Sequence, residues 1–454
     1  MRYLPTRLWT ALRAVLAIAV IVSCTFGVPT IARADWVRDD QWQLGALNAE
    51  AAWRHTTGSG VIVAVLDSGV DATHPDLIGQ VLPGIDLVKE GGDARTDPVG
   101  HGTTVAALIA GERDDAGVVG IAPDAKILPV RVLDEQNRYE DAAVVAHGLR
   151  WAVDHGASVV NLSLGGLAES EVLANAVAYA ASRDVIVVAC TGNVAQTNGP
   201  PQVWYPARQP GVLAVTGLRA PPSVTGGTGW ADWTNGTNPG PERLWQGSLT
   251  GPQTVLSAPA ASLLGARPGG YWKVQGTSFA SPLVAAAAAL VRSRYPNLSA
   301  ANVINRLIST AVDLGADGRD DRYGFGQIDP LAALTAEVTL VSANPLTGPA
   351  GSPATSRGGS AGAPAPPAND PDAGNPAQAG TPADQPAPGQ KNPSSSKPGS
   401  SSAPAHGAAG TLLSGSSSVP TATLAVVLVL AVAILLLHRR GYARRYLQRG
   451  RHSR

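Results

Sequence analysis

The 454-residue sequence predicts an α/β fold of three layers, a mostly parallel central sheet flanked by helices. Three observations predict it. Continuous apolar, β-branched runs such as Gly60–Leu66 and Val185–Ala189 are the mark of strands buried on both faces. These runs alternate with segments of helical spacing across the middle of the chain, as a doubly wound sheet requires. Finally, Thr103–Leu108 and Leu283–Val291 are almost wholly small and apolar, so helices built from them are smooth on every side and suit an interior.

The chain begins with an address. Arg2, Arg7 and Arg13 precede an apolar run from Ala14 to about Val22, and Ala32-Arg33-Ala34 comes after it. Residues 1–34 therefore read as a secretory signal cleaved after Ala34. An uncleaved anchor is the alternative, and Ile21-Val22-Ser23-Cys24 resembles a bacterial lipoprotein box that would leave Cys24 lipidated. If Cys24 leaves with the signal, Cys190 is the single cysteine of the mature chain, and no internal disulfide forms. Residues 35–45 form a short extension before the main domain, 46–342.

In that domain the strand 60–66 ends at Asp67-Ser68-Gly69-Val70. A carboxylate there sits where open α/β sheets place their sites, although a turn aspartate is the plainer reading of Asp67 alone. Gly100-His101-Gly102-Thr103 starts the first small-residue helix. Lys126–Val132 and Ser158–Leu162 read as strands, Asp141–Asp154 and Glu169–Ser182 as helices. The strand 185–189 leads into Cys190-Thr191-Gly192-Asn193. His147 and His155 have no partner pattern and read as surface residues. The stretch 218–246 is a Gly-, Pro- and Thr-rich insertion whose Trp230, Trp233 and Trp245 either mark a contact surface or anchor the loop.

Gly276-Thr277-Ser278-Phe279-Ala280-Ser281-Pro282 delivers a serine to the first turn of the second small-residue helix. Pro282 is tolerated so close to the helix start, where an intrahelical donor is not needed. Unpaired N–H groups and the positive end of the helix dipole beside the Ser278 hydroxyl suit a nucleophile whose attack generates an oxyanion.

The C-terminal quarter is different in kind. Residues 343–418 are mostly Pro, Gly, Ala and Ser and read as a disordered tether. Val419–Leu437 holds nineteen residues without a charge, long enough for a transmembrane helix. The tail, 438–454, carries arginines and no acid, which keeps it cytoplasmic and puts the main domain outside the cell membrane as a single-pass protein. A formal net charge of zero gives no support for a nucleic-acid partner.

Asp67, His101 and Ser278 occur in that order, each at an element end beside glycine. In these motifs the sequence resembles the subtilisin-like serine proteases, peptidase family S8, over roughly residues 46–335. The resemblance implies that Ser278 is the nucleophile, His101 its base and Asp67 the residue that orients the imidazole. It implies Asn193 as an oxyanion donor and Ser163-Leu164-Gly165-Gly166 as the segment that pairs with an extended peptide or protein substrate, its glycines leaving room for a P1 side chain. Thr104 stands where the family commonly has a second histidine. No cofactor or catalytic metal is implied, though Asp76 and Asp114 fall where many relatives hold a structural calcium ion, the alternative being solvated acids.

The short extension 36–52, Trp204-Tyr205-Pro206-Ala207-Arg208, Tyr323-Gly324-Phe325-Gly326-Gln327-Ile328-Asp329-Pro330, the tether and the anchor are similar to the mycosins. These are membrane-anchored subtilisin-like proteases of type VII secretion systems. No space is expected for a folding pro-domain. Two functions are implied: an endopeptidase acting on exported proteins, or chiefly a structural component of the secretion membrane complex with secondary proteolysis.

Overall fold

The continuous β-branched runs become strands, and the alanine-rich ones become buried helices. The computed structural model describes residues 35–114, 116–197, 200–220 and 243–348. The signal, Trp230 and Trp233, the tether beyond residue 348, the span 419–437 and the basic tail lie outside the described residues. Among the described residues no helix is long and apolar enough to cross a membrane.

The chain enters through three short helices, α1 (Asp35–Asp39), α2 (Trp42–Ala46) and α3 (Ala49–Trp53). They do not stand apart from the main domain. Val37, Trp42, Leu47 and Ala49 are buried. The Trp42 indole donates to Ala261 O (3.1 Å) and the Trp53 indole to Ile121 O (2.9 Å). Residues 35–45 thus share one core with the rest of the domain.

Strands β1 (Ile62–Asp67) and β2 (Ile85–Asp86) come next, then helix α4 (His101–Ala110) and β3 (Lys126–Arg131). After these, α5 (Ala142–Asp154), β4 (Val159–Leu162), α6 (Glu171–Ser182) and β5 (Ile186–Cys190) alternate as the sequence predicts, and β6 (Leu213–Leu218) and β7 (Leu256–Pro259), which no sequence reading marked, follow. Asp141 and Ser170 begin α5 and α6 by accepting from Ala143 N–H and Leu173 N–H. The hairpin β8 (Leu263–Arg267) and β9 (Gly270–Val274) precedes α7 (Thr277–Arg294), α8 (Ala300–Ser309) and α9 (Pro330–Thr335).

One sheet runs β2-β3-β1-β4-β5-β6-β7, and every pairing in it is parallel. Helices α5 and α6 pack on each other and against β1, β3 and β5; α4 and α7 pack on each other and against β1 and β4–β7. The result is the three-layer α/β arrangement. Its centre is α7, where every residue from Thr277 to Arg292 except Ser278 is buried. Alanine makes this possible, since a helix with almost no protruding side chains approaches four strands closely without leaving voids.

Register decides what meets at the edge of the sheet. Leu66 pairs with Leu162, and Leu162 with Ala189. The next residues in each strand, Asp67, Ser163 and Cys190, therefore lie side by side at the carboxyl ends of the central strands, where sheets of this kind hold their ligands.

Candidate active site

Asp67 ends β1 and is fully buried. Its carboxylate accepts His101 Nδ1–H, at 2.8 Å to Oδ1 and 3.0 Å to Oδ2, and the Ser68 N–H at 2.8 Å. With Nδ1 bearing the proton, Nε2 is the nitrogen left to act as a base. His101 is the first residue of α4. The approach of α4 to β1 requires Gly102, because a Cβ there would lie 2.1 Å from Gly69 O and 3.0 Å from Asp67 Cβ.

A second carboxylate, to which no sequence motif pointed, holds this helix start in place. Buried Asp97 accepts from Gly100 N–H (2.7 Å) and Val99 N–H (3.0 Å) through Oδ1. Through Oδ2 it accepts from Thr103 N–H (2.8 Å) and Thr103 Oγ1 (2.6 Å). Ser68 Oγ links the two acids, donating to Asp97 Oδ1 (2.9 Å) while accepting from Gly102 N–H (3.0 Å). The available signal was an acid just ahead of a helix start, the usual capping chemistry. Thr104 fastens the other side of α4, donating to Ala266 O of β8 (2.8 Å).

Ser278 stands at the second position of α7, alone unburied in its run. Phe279 beside it lies against His101, ring centroids 5.2 Å apart, so the serine and the imidazole share one corner of the cleft. The Ser278 hydroxyl is turned toward Cys190 Sγ at 4.0 Å, and reaching the imidazole requires it to swing. Burial pushes the Cys190 thiol up to about 11, so it stays protonated near neutrality and is no rival nucleophile.

Asn193 and Ser163 brace α7 from the sheet edge. Asn193 Oδ1 accepts from Thr277 N–H and Thr277 Oγ1, both at 3.1 Å, and Thr277 Oγ1 accepts from Gly192 N–H at 3.2 Å. One Asn193 Nδ2 hydrogen goes to Gln196 Oε1 (3.0 Å), which leaves the other to serve an anion. Ser163 Oγ donates to Ser278 O (2.6 Å) and accepts from buried Asn161 (2.9 Å). Leu164 O accepts from Cys190 Sγ (3.8 Å), so the segments 163–166 and 190–193 form facing walls beside Ser278.

The glycines of those walls do not open onto empty space. Gly165 and Gly192 both face Trp204, the residue before Tyr205, which pairs with Gly166 in both directions (3.0 and 2.8 Å). The room left for a P1 side chain in the sequence is partly filled by an indole from a segment further along the chain.

Other candidates fall away from this site. The geometry around Asp76 and Asp114 does not fit a calcium ion. Asp76 Oδ2 accepts Val118 N–H (2.7 Å) and Oδ1 accepts the Tyr271 hydroxyl (2.8 Å). Burial raises the Asp76 carboxyl above its ordinary range. The carbonyls of Asp114, Ala116 and Gly117 accept from the Arg38 guanidinium at 3.2–3.4 Å, so a side-chain cation sits where a metal would need them. His147 and His155 are exposed, the latter stacked on Trp151 at 3.8 Å. Trp245 anchors rather than protrudes, its backbone N–H on Gly217 O (2.9 Å) and its ring against the core.

The subtilase family model (peptidase S8) matches residues 58–326, more than half of the chain. Fervidolysin of Fervidobacterium pennivorans is 34% identical over 312 residues, 65% of this chain and 44% of its own length. Subtilisin E of Bacillus subtilis is 36% identical over 278 residues, 61% of this chain. The chain thus spans from under half to about two thirds of these relatives, 44% and 66%. Among solved structures, the MycP3 protease from the type VII (ESX-3) secretion system aligns with a TM-score of 0.54 at 30% identity, covering 65% of this chain and 88% of that one.

Proposed function

The chain belongs to the subtilase family, and from that premise we propose that it is a serine endopeptidase working through Asp67, His101 and Ser278. Ser278 Oγ attacks the scissile carbonyl as His101 Nε2 takes its proton, and Asp67 stabilises the imidazolium. The developing oxyanion lies between the Ser278 N–H and Asn193 Nδ2. His101 then returns the proton to the leaving amine, and water admitted to the same place releases the acyl group from Ser278. The observation that carries this reading is the buried 2.8 Å Asp67–His101 bond beside Ser278, the one residue of the first turns of α7 that is not buried.

Ser278→Ala tests it. The substitution is expected to lower kcat on a peptide substrate by about 10⁶ and to abolish labelling by a fluorophosphonate, with an unchanged melting curve. A variant that still cleaves at the parental rate would refute the assignment.

The wider role is part of the same proposal. The leader 1–34 and the span 419–437 support a catalytic domain held outside the cell membrane with the tail, 438–454, inside. Likeness to a protease of type VII secretion supports a place beside such a system, acting on exported proteins. Deleting the gene and returning Ser278→Ala separates catalysis from scaffolding. Restored export with uncleaved products means both roles; export that stays lost means catalysis itself is required.

A further inference from the structure

We infer that Trp204 determines the P1 specificity of this peptidase, filling the base of the slot that receives the P1 side chain and confining P1 to small residues such as alanine, serine and glycine. The inference rests on the endopeptidase reading above and goes on to name the substrate class.

Chemistry fixes the position of the slot. A scissile carbonyl carbon in reach of Ser278 Oγ, with its oxygen toward Asn193, leaves the P1 side chain two bonds away, entering between the walls that flank Ser278. One wall is 163–166, tied to Ser278 O through Ser163 Oγ at 2.6 Å. The other is 190–193, whose Cys190 Sγ lies 4.0 Å from Ser278 Oγ. Both walls present glycine to the gap, which by itself would make a wide pocket.

Trp204 closes it. A Cβ placed on Gly192 would lie 2.4 Å from Trp204 Cδ2 and 2.7 Å from Cγ, so the indole lies on the Gly192 backbone. A Cβ on Gly165 would lie 3.2 Å from Trp204 Cβ and 3.5 Å from Cε3. One side chain therefore covers the inner faces of both walls. Trp204 is itself only 6% exposed, so the indole is packed among its neighbours rather than standing in solvent.

The ring is also hard to move. The Trp204 backbone N–H donates to Thr191 O (2.9 Å) in one wall, and Tyr205 exchanges two backbone bonds with Gly166 in the other. A large P1 side chain would have to displace a buried indole whose backbone is bonded to one wall and whose neighbour Tyr205 is bonded to the other. Exclusion by a fixed obstacle of this kind is a strong way to discriminate. Ala over Phe at P1 is then expected at about 10²-fold in kcat/KM, the scale of discrimination that a packed apolar pocket achieves.

The test uses the purified full chain in detergent and two peptidyl diphenyl phosphonates identical except for Ala or Phe at P1. A small fluorophosphonate without a P1 side chain reports Ser278 itself. Wild type is expected to react with the Ala probe about 10² times faster than with the Phe probe. Trp204→Gly is expected to raise the Phe rate at least about tenfold relative to the Ala rate, with each rate divided by the fluorophosphonate rate of the same variant. Equal or faster reaction of wild type with the Phe probe overturns the inference, as does an unaltered Ala-to-Phe ratio in Trp204→Gly. If Trp204→Gly does not fold, the wild-type ratio and Trp204→Val decide. Wild type that fails to react with the fluorophosphonate as well refutes the endopeptidase reading. Fluorophosphonate labelling together with a Phe preference refutes only the role of Trp204.

Discussion

Two small-residue helices meet at this site, and their N-termini are treated in opposite ways. At the start of α4 the free N–H groups are taken up: Gly102 by Ser68 Oγ, Thr103 by Asp97, with Gly100 just ahead also bonded to Asp97. At the start of α7, Thr277 N–H is bonded to Asn193 Oδ1 and Phe279 N–H to Gly276 O, while Ser278 N–H has no acceptor among the described residues. The same backbone feature serves two ends. A capped terminus fixes the base, and an uncapped one keeps a donor for the anion that forms during reaction. His101 needs a single position; Ser278 needs a vacancy beside it.

Breaking this contrast on the α7 side is expected to have the larger kinetic effect. Asn193→Ala removes the side-chain donor that complements Ser278 N–H, and kcat should fall about 10²–10³-fold with little change in KM. Steady-state kinetics on one peptide series measures both. A loss confined to KM would mean that Asn193 binds substrate rather than the transition state.

On the α4 side the effect should appear in stability. Asp97→Ala strips the buried N–H groups of Val99, Gly100 and Thr103 of their acceptor, and urea unfolding should show a loss of about 3 kcal/mol. Asp97→Asn keeps one carbonyl oxygen and should lose roughly half as much. If Asp97→Ala unfolds like wild type, the cap is not what positions His101.

The smallest effect is expected at the loop bound by Arg38. Arg38→Ala should lower stability by about 1 kcal/mol, since it frees three carbonyls on a half-exposed surface. Adding calcium or a chelator should leave the wild-type melting temperature unchanged. A rise in melting temperature with calcium would show that the loop opens to bind the ion.

Asp67, His101, Asn193 and Ser278 stood out in the chain as candidates because their motifs together resemble those of the subtilisin-like proteases; taken alone, Asp67 read more plainly as a turn aspartate. The parallel sheet was legible from a local pattern, since strands buried on both faces have no polar alternation. Strand β2, only two residues long, and the hairpin β8–β9 lack such a pattern, and pairing partners define them instead.

The type of fold was therefore readable along the chain from local residue patterns, and the candidate reacting groups from the resemblance of their motifs. Their surroundings were set by packing. Asp97 reaches α4 from a loop, Arg38 reaches carbonyls seventy-six to seventy-nine residues away, and Trp204 lies on Gly165 and Gly192 only because β4, β5 and the 204–206 segment converge. Contacts of that kind depend on how distant segments come together, and steric exclusion between them leaves no signature in either segment alone.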